Sequence, residues 1–462
     1  MVKEQDSNEQ SLKNENNEPP IFERKTAKFE GFDTRFTQPT KDFSKQFYHV
    51  YLCRLEELKK LIIPKATKIW GDDVKIVTLA ELENYDNEKC IIIGTLFKHQ
   101  IWKPSILREL SEDTQETSDR SEKHEDYCSD KDTAYLEDEM LRIKIIGDNV
   151  DLKKVVTGVV CGLLGKKLDD GTFEVEDWCF PGCPTKKPTP TTPVSDGKLL
   201  LLSGLDLANK SNNPMLLDLL IEWITGMAGT TNTQQDVSSI VNILIAGNSV
   251  KSSSSDHDNI QGLMSSKAIK TQDTQEISSA IKKLDKLLSE LLDYSSVILM
   301  PGEHDPTNLM LPQRPIHRFV LKNSYKYDNY KGVGNPWIGN IGNRIIAGTS
   351  GQPIDDIIKV TGDKSTSTIE WMEKTLEWRQ YCPTAPDTLP SYPYNGNDLF
   401  IMQECPDIYF VGNADKFDTK LWKGEDGQTV RIICIPKFST TNTAVLIDLK
   451  SLEVTPMYFG TS

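Results

Sequence analysis

The sequence predicts a two-domain protein in which a small β-barrel precedes a larger layered α/β domain. Within residues 41–182, short apolar runs rich in β-branched residues are separated by Gly-rich bends, a pattern typical of a small barrel. A proline-rich linker at 183–195 follows and marks a domain boundary. In residues 196–462, strand-like runs alternate with amphipathic helical segments, which is typical of layered α/β domains.

Length and composition exclude several classes of protein. The 462 residues are enough for two or three domains, and 68 acidic against 53 basic residues give a net charge of −15. Since even the remainder outside 111–140 is mildly acidic, a protein that coats nucleic acid is disfavoured. No signal peptide is evident, and no run approaches the roughly 20 apolar residues of a membrane span. The nine cysteines lack the paired spacing of zinc sites, which predicts reduced thiols in the cytosol or nucleus.

The N-terminal region is predicted to contain a tail and a helix. Residues 1–40 are expected to be disordered, because residues 1–20 are rich in Asn, Glu and Lys and offer little to bury. Apolar residues then recur at spacings of three and four within 43–63, which predicts a helix. Pro64 is expected to end this helix.

Five apolar runs predict the strands of the barrel, and an OB-type barrel fits their number and length. They lie at 75–79, 90–97, 141–146, 154–162 and 172–178. The segment 111–140 holds 12 acidic and 3 basic residues, so it is expected to be a disordered insertion in a barrel loop. OB barrels often bind single strands through a basic groove. Outside the insertion, residues 71–110 and 141–182 contain 11 basic and 14 acidic residues, which favours a protein-binding or scaffolding barrel over single-strand binding.

The α/β domain is predicted from alternating strands and helices. Its strands are expected at 198–203, 240–246, 296–299, 343–348, 408–412, 430–435 and 444–449. The last two of these runs are expected to pair with each other in an antiparallel hairpin. Asn213-Pro214 is a helix start in which Asn caps and Pro occupies the first turn, and 274–292 predicts a strongly amphipathic helix.

Several predicted strands of this domain end in a short loop with glycine and polar residues. The loop after 296–299 concentrates three candidate metal or acid/base groups, Glu303, His304 and Asp305. Sites in open α/β sheets form at the carboxyl ends of strands, so a catalytic loop is one interpretation. The alternative is a structural loop whose polar side chains bond backbone amides. The residues of this stretch alone leave both open.

Four such strand-end loops are similar to those of two-metal phosphoesterases of the calcineurin type, whose metals need several histidines and carboxylates. Matched by motif, Gly204 and Asp206 replace the first Asp and His, and Asn248 replaces the carboxylate of the second loop. Glu303 stands where the third loop has Asn, while His304 and Asp305 are retained. Asn413 and Asp415 replace the last two histidines. These vestigial positions predict neither a catalytic residue nor a two-metal centre, although one weak Mg²⁺ or Mn²⁺ site remains an alternative.

Longer motifs resemble a known family. They are LLSGLDL at 201–207, IAGN at 245–248, MPGEHDPTNLMLPQ at 300–313, GTSGQ at 348–352, PTAPDTL at 383–389, ECPDIYFVGN at 404–413 and IPKFS at 435–439. With these motifs the sequence resembles the small (B) subunits of eukaryotic replicative DNA polymerases, and most closely those of polymerase delta. The barrel region matches more loosely, and residues 1–20 and 111–140 carry no resemblance.

The resemblance implies an OB barrel packed on an inactivated, calcineurin-like phosphoesterase domain. It implies a nuclear, non-catalytic scaffold subunit for DNA replication and repair synthesis, without a cofactor of its own and without membrane contact. The expected partners are the C-terminal cysteine-rich module of the catalytic subunit and the N-terminal domain of a third subunit. That third subunit would reach the sliding clamp, so that contact with the clamp and with DNA is indirect. Any iron–sulfur cluster or zinc would belong to the catalytic subunit.

Two alternatives of other classes accompany this interpretation. A metal-dependent phosphoesterase or 3′-exonuclease is suggested by Gly302, Glu303, His304 and Asp305, and it requires bound divalent ions. A single-strand-binding protein acting through the barrel is the other, and it requires affinity that falls steeply with salt.

Overall fold

The computed structural model describes residues 22–36, 46–103, 126–186, 194–251, 271–393 and 396–460. These residues form a barrel domain with one long helix and an α/β domain with two six-stranded mixed sheets. Among them, no helix combines the length and the apolarity that crossing a membrane requires.

The barrel domain has the OB topology. Its strands are β2 (Ile76–Val77), β3 (Lys89–His99), β4 (Thr133–Glu137), β5 (Arg142–Ile146), β6 (Val160–Lys167) and β7 (Phe173–Cys179). The antiparallel pairs β3–β4, β4–β5 and β6–β7 are joined by a short parallel β5–β7 pair. Antiparallel pairing of β3 with β6 closes the barrel. The OB prediction is therefore confirmed, with β2 as an added edge strand.

Helix α1 (Tyr48–Trp70) covers one side of the barrel and continues through Pro64. The expectation that Pro64 ends the helix is wrong. A proline inside a helix removes one hydrogen bond at a cost of about 3 kcal/mol. Here Ile62 and Ala66, on either side of the proline, are both fully buried, and they pack against outward-facing residues of β3 and β6. Burial of this continuous apolar stripe outweighs the lost bond.

Strand β4 lies inside the segment expected to be a disordered insertion. Residues 126–140 are ordered, and β4 pairs with β3 over Thr95–His99, so the expectation for 111–140 is wrong in this part. Its acidic residues are used locally: the Asp138 carboxylate accepts hydrogen bonds from backbone amides of Leu79, Met140 and Leu141. The acidic composition of this segment therefore concealed a strand, β4, which Asp138 follows directly. Residues 111–125 lie outside the described residues.

The segment 22–36, expected to belong to a disordered tail, runs along the α/β domain. Strand β1 (Phe29–Gly31) pairs antiparallel with β12 (Trp337–Ile341), and Phe29 stacks on Trp337 with ring centroids 6.3 Å apart. Arg35 forms an ion pair with Glu404. The expectation for 1–40 is wrong for this segment, because its stability comes from pairing with residues about 300 positions away. Residues 1–21 and 37–40 are not described.

The two sheets of the α/β domain are named here by their central strands. The β9 sheet has the order β11-β10-β9-β8-β17-β18, and the β14 sheet has the order β1-β12-β13-β14-β16-β15. Their further strands are β8 (Lys198–Leu202), β9 (Ile240–Ala246), β10 (Ser296–Met300), β11 (Tyr330–Gly332), β13 (Arg344–Thr349), β14 (Ile408–Ala414), β15 (Asp418–Lys423), β16 (Thr429–Pro436), β17 (Thr443–Asp448) and β18 (Val454–Tyr458). Strands β8, β9, β10 and β11 are parallel neighbours, as are β13, β14 and β16.

All seven runs predicted as strands in this domain are strands, but one pairing prediction is wrong. Strands β16 and β17 belong to different sheets, and β17 pairs with β8 and β18 instead. The short connection through helix α7 (Phe438–Thr441) crosses from one sheet to the other rather than turning a hairpin. Inward-facing residues such as Leu201, Phe410 and Ile433 pack between the two sheets and form the central core.

Helices cover the outer face of each sheet. Those on the β9 sheet are α2 (Pro214–Thr225), α3 (Thr231–Ser238) and α4 (Thr271–Leu292), and those on the β14 sheet are α5 (Gln352–Thr361) and α6 (Thr368–Glu377). The predicted cap of α2 is confirmed, because the Asn213 side chain accepts a hydrogen bond from the Met215 amide at 3.1 Å. The domain therefore has four layers, helix–sheet–sheet–helix.

The barrel and the α/β domain share one continuous interior. Trp178 of β7 stacks on Phe180, which contacts Trp378 beyond the end of α6. The start of the predicted linker also packs on the second domain, where the Gln428 side chain donates to the Cys183 carbonyl at 3.2 Å. Residues 183–186 are thus part of the interface, and residues 187–193 are not described.

A buried arginine connects the two domains. Arg54 of α1 is fully buried, and its Nε donates to Asp398 Oδ2 at 2.6 Å. The other guanidinium nitrogens donate to the carbonyls of Gly158, Pro383 and Ala385 at 2.8–3.1 Å. A Cβ at Gly158 would lie 2.2 Å from the Pro383 carbonyl oxygen, so only glycine fits there. One side chain therefore holds the helix, the barrel and the loops of the second domain.

Replacement of Arg54 by Met should destabilise the whole chain. The variant leaves the Asp398 carboxylate and three carbonyls buried without their donor, which costs about 3–5 kcal/mol in comparable buried pairs. We expect a large fall in the midpoint of urea unfolding, measured by circular dichroism on the full chain.

The matched control is Lys60→Met, which removes an exposed cation from the same helix. Its unfolding midpoint should stay near that of the parent chain. If both variants unfold at the same urea concentration, the buried arginine does not hold the domains together.

Candidate functional site

The four strand-end loops singled out in the sequence meet at one edge of the α/β domain. They follow β8, β9, β10 and β14 and belong to both sheets. Backbone bonds join them directly: the Gly204 amide donates to the Gly247 carbonyl at 2.9 Å, and the Asp206 amide donates to the Asn248 carbonyl at 3.2 Å. The Asn413 amide donates to Ser203 Oγ at 2.9 Å. The structure therefore brings the predicted loops together.

Asp305 is the central side chain of this edge, and it points into the protein. Its carboxylate accepts hydrogen bonds from the amides of Ser249 at 3.2 Å, Val250 at 2.8 Å and Gly302 at 2.9 Å. Burial raises the pKa of Asp305, and the backbone bonds oppose that rise. Both oxygens are occupied by amides from the loops after β9 and β10, so this carboxylate fixes two loops.

Asn248 and Asn413 shape the loops in a related way. Both have positive φ, 53° and 58°, a conformation that Asn adopts more readily than most residues. Asn248 Oδ1 accepts from the His304 amide at 3.2 Å. Asn413 Nδ2 donates to the carbonyls of Ala246 and Ser350 at 3.2 and 2.7 Å. These two amides thus bond the backbone of neighbouring loops.

Two glycines allow the loops to approach so closely. A Cβ on Gly302 would lie 2.2 Å from Asn248 Oδ1, and one on Gly204 would lie 2.8 Å from Asn413 Oδ1. Gly204 also has a φ of 59°. Asp206 is buried, with a φ of 49°, and its carboxylate accepts from Asn209 Nδ2 at 3.2 Å. This close packing explains why glycines lie next to the Asn248 and Asn413 side chains at this edge.

The remaining candidate groups lie towards solvent. Glu303 is exposed and its Oε2 is 4.0 Å from His304 Nε2. The Asp415 side chain is 95% exposed and pairs with Lys437 Nζ at 3.1 Å. Across the ranges that the structure describes, no three His, Cys, Asp or Glu side chains are grouped as a metal site would require. The edge therefore offers scattered acids rather than a cage for ions.

A buried amide network behind these loops was not predicted from the sequence. Asn335 Nδ2 donates to Gln313 Oε1 at 2.7 Å, to Ser350 Oγ at 2.9 Å and to Gln352 Oε1 at 2.9 Å. Gln313 Nε2 in turn donates to the Gly302 carbonyl at 3.0 Å. A signal was present, because Gln313 and Gln352 each end one of the family motifs, but their mutual contact depends on the tertiary fold.

Asp355, in the first turn of α5, was also missed. Water reaches its carboxylate, yet protein atoms crowd around it, and this desolvation raises its pKa to about 6. Lys437 and Lys359 oppose the rise, while Glu303 and Asp415 add to it. Asp355 therefore lies near charged residues of the same loops, Glu303 and Asp415 among them.

Two family models of DNA polymerase subunits match this chain. Residues 46–178 match the family model of the DNA polymerase delta subunit OB-fold domain, and residues 199–419 match that of the B subunit of DNA polymerase alpha/epsilon. The two matches correspond to the barrel and to most of the α/β domain.

Individual proteins similar to this chain identify the polymerase more narrowly. The chain is 37% identical over 442 residues to the DNA polymerase delta small subunit of Arabidopsis thaliana, covering 96% of this chain and 97% of the relative. It is 35% identical to DNA polymerase delta subunit 2 of Drosophila melanogaster, covering 95% and 98%. The DNA polymerase II small subunit of Pyrococcus horikoshii is 24% identical, over 63% of this chain and 46% of the relative. The chain belongs to the DNA polymerase delta small-subunit family.

Replacement of Asp305 by Ala should destabilise the protein. Three buried amides would lose a charged acceptor, and each such loss costs on the order of 1–3 kcal/mol. We expect a total of about 3 kcal/mol in the free energy of unfolding, measured with denaturant.

Glu303→Ala is the matched control, because it removes a neighbouring but exposed carboxylate from the same loop. It should change the free energy of unfolding by less than about 0.5 kcal/mol. Equal effects of the two variants would show that Asp305 does not hold the loops.

The raised pKa of Asp355 predicts a pH dependence. Between the usual value of 3.8 and about 6, the folded state binds this proton more tightly than the unfolded state. The contribution of Asp355 to stability therefore falls as pH rises through that window. Asp355→Asn cannot titrate, so its stability relative to the parent should increase from pH 3.8 to pH 6.

Thermal unfolding of both proteins across this window measures the effect. Asp148→Asn, which alters an exposed carboxylate of the barrel, provides the control. A stability difference between Asp355→Asn and the parent that stays constant with pH would contradict the prediction.

Proposed function

We propose that this chain is a non-catalytic accessory subunit of DNA polymerase delta. It holds the C-terminal cysteine-rich module of the catalytic subunit and the N-terminal domain of a third, clamp-interacting subunit. In this role it works in the nucleus, in DNA replication and repair synthesis. Contact with the sliding clamp and with DNA passes through these partners.

Family membership supports the polymerase complex as the setting. The relatives from plant and fly are named as the small subunit or subunit 2 of DNA polymerase delta, and they match this chain over nearly their full length. A subunit that matches end to end is expected to occupy the same place in its complex. The specific bridge to two partners follows from the resemblance described above.

We further propose that the α/β domain is a calcineurin-like phosphoesterase domain that has lost its catalytic centre. The use of Asp305 is the observation that carries this proposal. A metal ligand must present a free oxygen, but both oxygens of Asp305 accept amides of the neighbouring loops. The amides of Asn248 and Asn413 likewise bond backbone groups. The vestigial positions then serve loop geometry.

The surface of α2 fits a subunit that is covered by partners. Leu220, Trp223 and Ile224 on one face of this helix are buried against the β9 sheet. The opposite side exposes Met215 and Leu219, and Met227 is exposed just beyond the helix. Helices that are apolar around their circumference are usually buried on both sides. A partner protein would cover this second face.

The proposal is tested by purifying the native protein through a C-terminal tag. Mass spectrometry should find a catalytic polymerase subunit in equimolar amount. Elemental analysis of this chain, separated from its partners, should find no stoichiometric divalent metal.

Recovery of the chain without any polymerase subunit would contradict the accessory role. Bound Mn²⁺ together with phosphodiester hydrolysis that is lost in His304→Ala would instead establish the phosphoesterase alternative. His304 is suited to this comparison because it is the retained histidine of the third loop.

A further inference from the structure

The segment 314–331, which follows β10 and ends within β11, has a charge opposite to that of the chain. It contains five Lys or Arg residues and one acid, Asp328, whereas the whole chain has a net charge of −15. The same segment contains His317 and four aromatic residues. Positive charge concentrated in one exposed segment of an acidic protein indicates a surface for a polyanion.

The charged and aromatic side chains of this segment are exposed together. We call them the basic aromatic surface, and its members are Arg314, His317, Arg318, Phe319, Lys322, Tyr325 and Lys326. In the described part of the chain, none of its four Lys and Arg side chains forms an ion pair. Phe319 is 68% exposed and Tyr325 is 53% exposed. Two exposed aromatic rings therefore lie among cations that form no ion pair with the described residues.

The surface is held rigidly by the domain beneath it. The buried Asp285 of α4 accepts from the backbone amides of Asn323 and Ser324, and from Ser324 Oγ at 2.7 Å. Ile316 and Leu321 are buried in the core under the β9 sheet helices. Exposed side chains thus alternate with anchored ones. Pre-organised groups lose less entropy on binding than groups in a free loop.

Cations and rings lie next to each other within the surface. The Arg318 guanidinium carbon is 5.3 Å from the centre of the Phe319 ring, and the His317 ring meets Phe319 edge-to-face at 4.9 Å. Single-stranded nucleic acids are bound by this combination, because cations follow the phosphates while exposed rings stack with bases.

The face of the barrel near β4 and β5 lacks this arrangement. Phe97 and Tyr135 are only partly exposed and lie under the Arg142 guanidinium, which also forms an ion pair with Glu137. Its cation is neutralised and its rings are covered. The basic aromatic surface of the second domain therefore offers a better site than this face of the barrel.

We propose that the basic aromatic surface binds single-stranded nucleic acid. The exposed rings favour this ligand over an acidic polypeptide, which would use the cations but has no bases to stack. They also favour it over duplex, whose bases are already stacked. This direct contact would add to the indirect contact with DNA that the bridging role provides through its partners, and it does not depend on that role.

The test measures binding of the full-length chain to a labelled oligothymidine of about 20 nucleotides by fluorescence anisotropy. The variant Arg318→Glu with Lys322→Glu should raise the Kd about tenfold or more. Since each phosphate contact contributes about 0.7 to the slope of log K against log salt, that slope should fall by about 1.4.

The matched control is Lys60→Glu with Lys68→Glu, which reverses two exposed lysines of α1 and gives the same change in net charge. It should leave the Kd and the salt slope near those of the parent. Equal weakening by both pairs would show that only total charge matters, and no binding by the parent at low salt would overturn the proposal.

A second variant separates nucleic acid from an acidic polypeptide. Phe319→Leu with Tyr325→Leu keeps apolar side chains but removes the stacking faces, and should weaken oligothymidine binding about tenfold. Polyglutamate serves as the competing probe. Unchanged oligothymidine binding by this variant, with polyglutamate competing as well as DNA, would assign the surface to an acidic protein instead.

Discussion

Buried backbone groups must find hydrogen-bond partners, and two buried side chains meet this requirement where the chain is irregular. Arg54 donates to three carbonyls and to Asp398 where the barrel meets the second domain. Asp305 accepts three amides where the strand-end loops meet. Loops lack the regular backbone hydrogen bonds of helices and sheets, so at these two places a charged side chain supplies the missing partners. Arg54 thus contributes to the contact between the two domains, and Asp305 to the geometry of the loop edge.

This requirement also explains how a loop edge rich in polar residues can serve structure instead of chemistry. Asp305, Asn248 and Asn413 are the most conspicuous polar residues there, and each is bonded to backbone of a neighbouring loop. The more exposed acids, Glu303 and Asp415, lie towards solvent, where Glu303 is 4.0 Å from His304 Nε2 and Asp415 pairs with Lys437. A domain fixed in this way presents a constant outer surface.

Much of this fold could be predicted from the sequence, because apolar runs identify strands well. The strands of the α/β domain and most of the barrel follow from such runs. Strands β1 and β4 could not be predicted, because β1 is only three residues long and β4 lies in a strongly acidic segment, and because their stability comes from pairing with distant strands. Helix α1 passes Pro64 for a similar reason, since tertiary burial outweighs local preference. The crossing from β16 to β17 depends on the arrangement of both sheets.

The candidate site was predicted in part. Its loops could be found from glycines and polar residues after apolar runs, and the structure brings them together. The Gln313–Asn335 network and the crowding around Asp355 depend on contacts between distant segments, so no local sequence pattern predicts them. Likewise, the exposure of Phe319 and Tyr325 is a property of the folded surface, because aromatic residues in sequence usually indicate core.

Hydrogen exchange measured by mass spectrometry, with and without Mn²⁺, tests most directly whether the loop edge is structural. Peptides covering 245–250 and 300–306 contain the amides that Asp305 holds. If the carboxylate already occupies them, these amides exchange as slowly as the adjacent strands, and Mn²⁺ does not change their rates. Fast exchange in the metal-free protein that becomes slow on addition of Mn²⁺ would contradict this account, because it would show that these loops form a metal-binding site that is ordered only when the ion is bound.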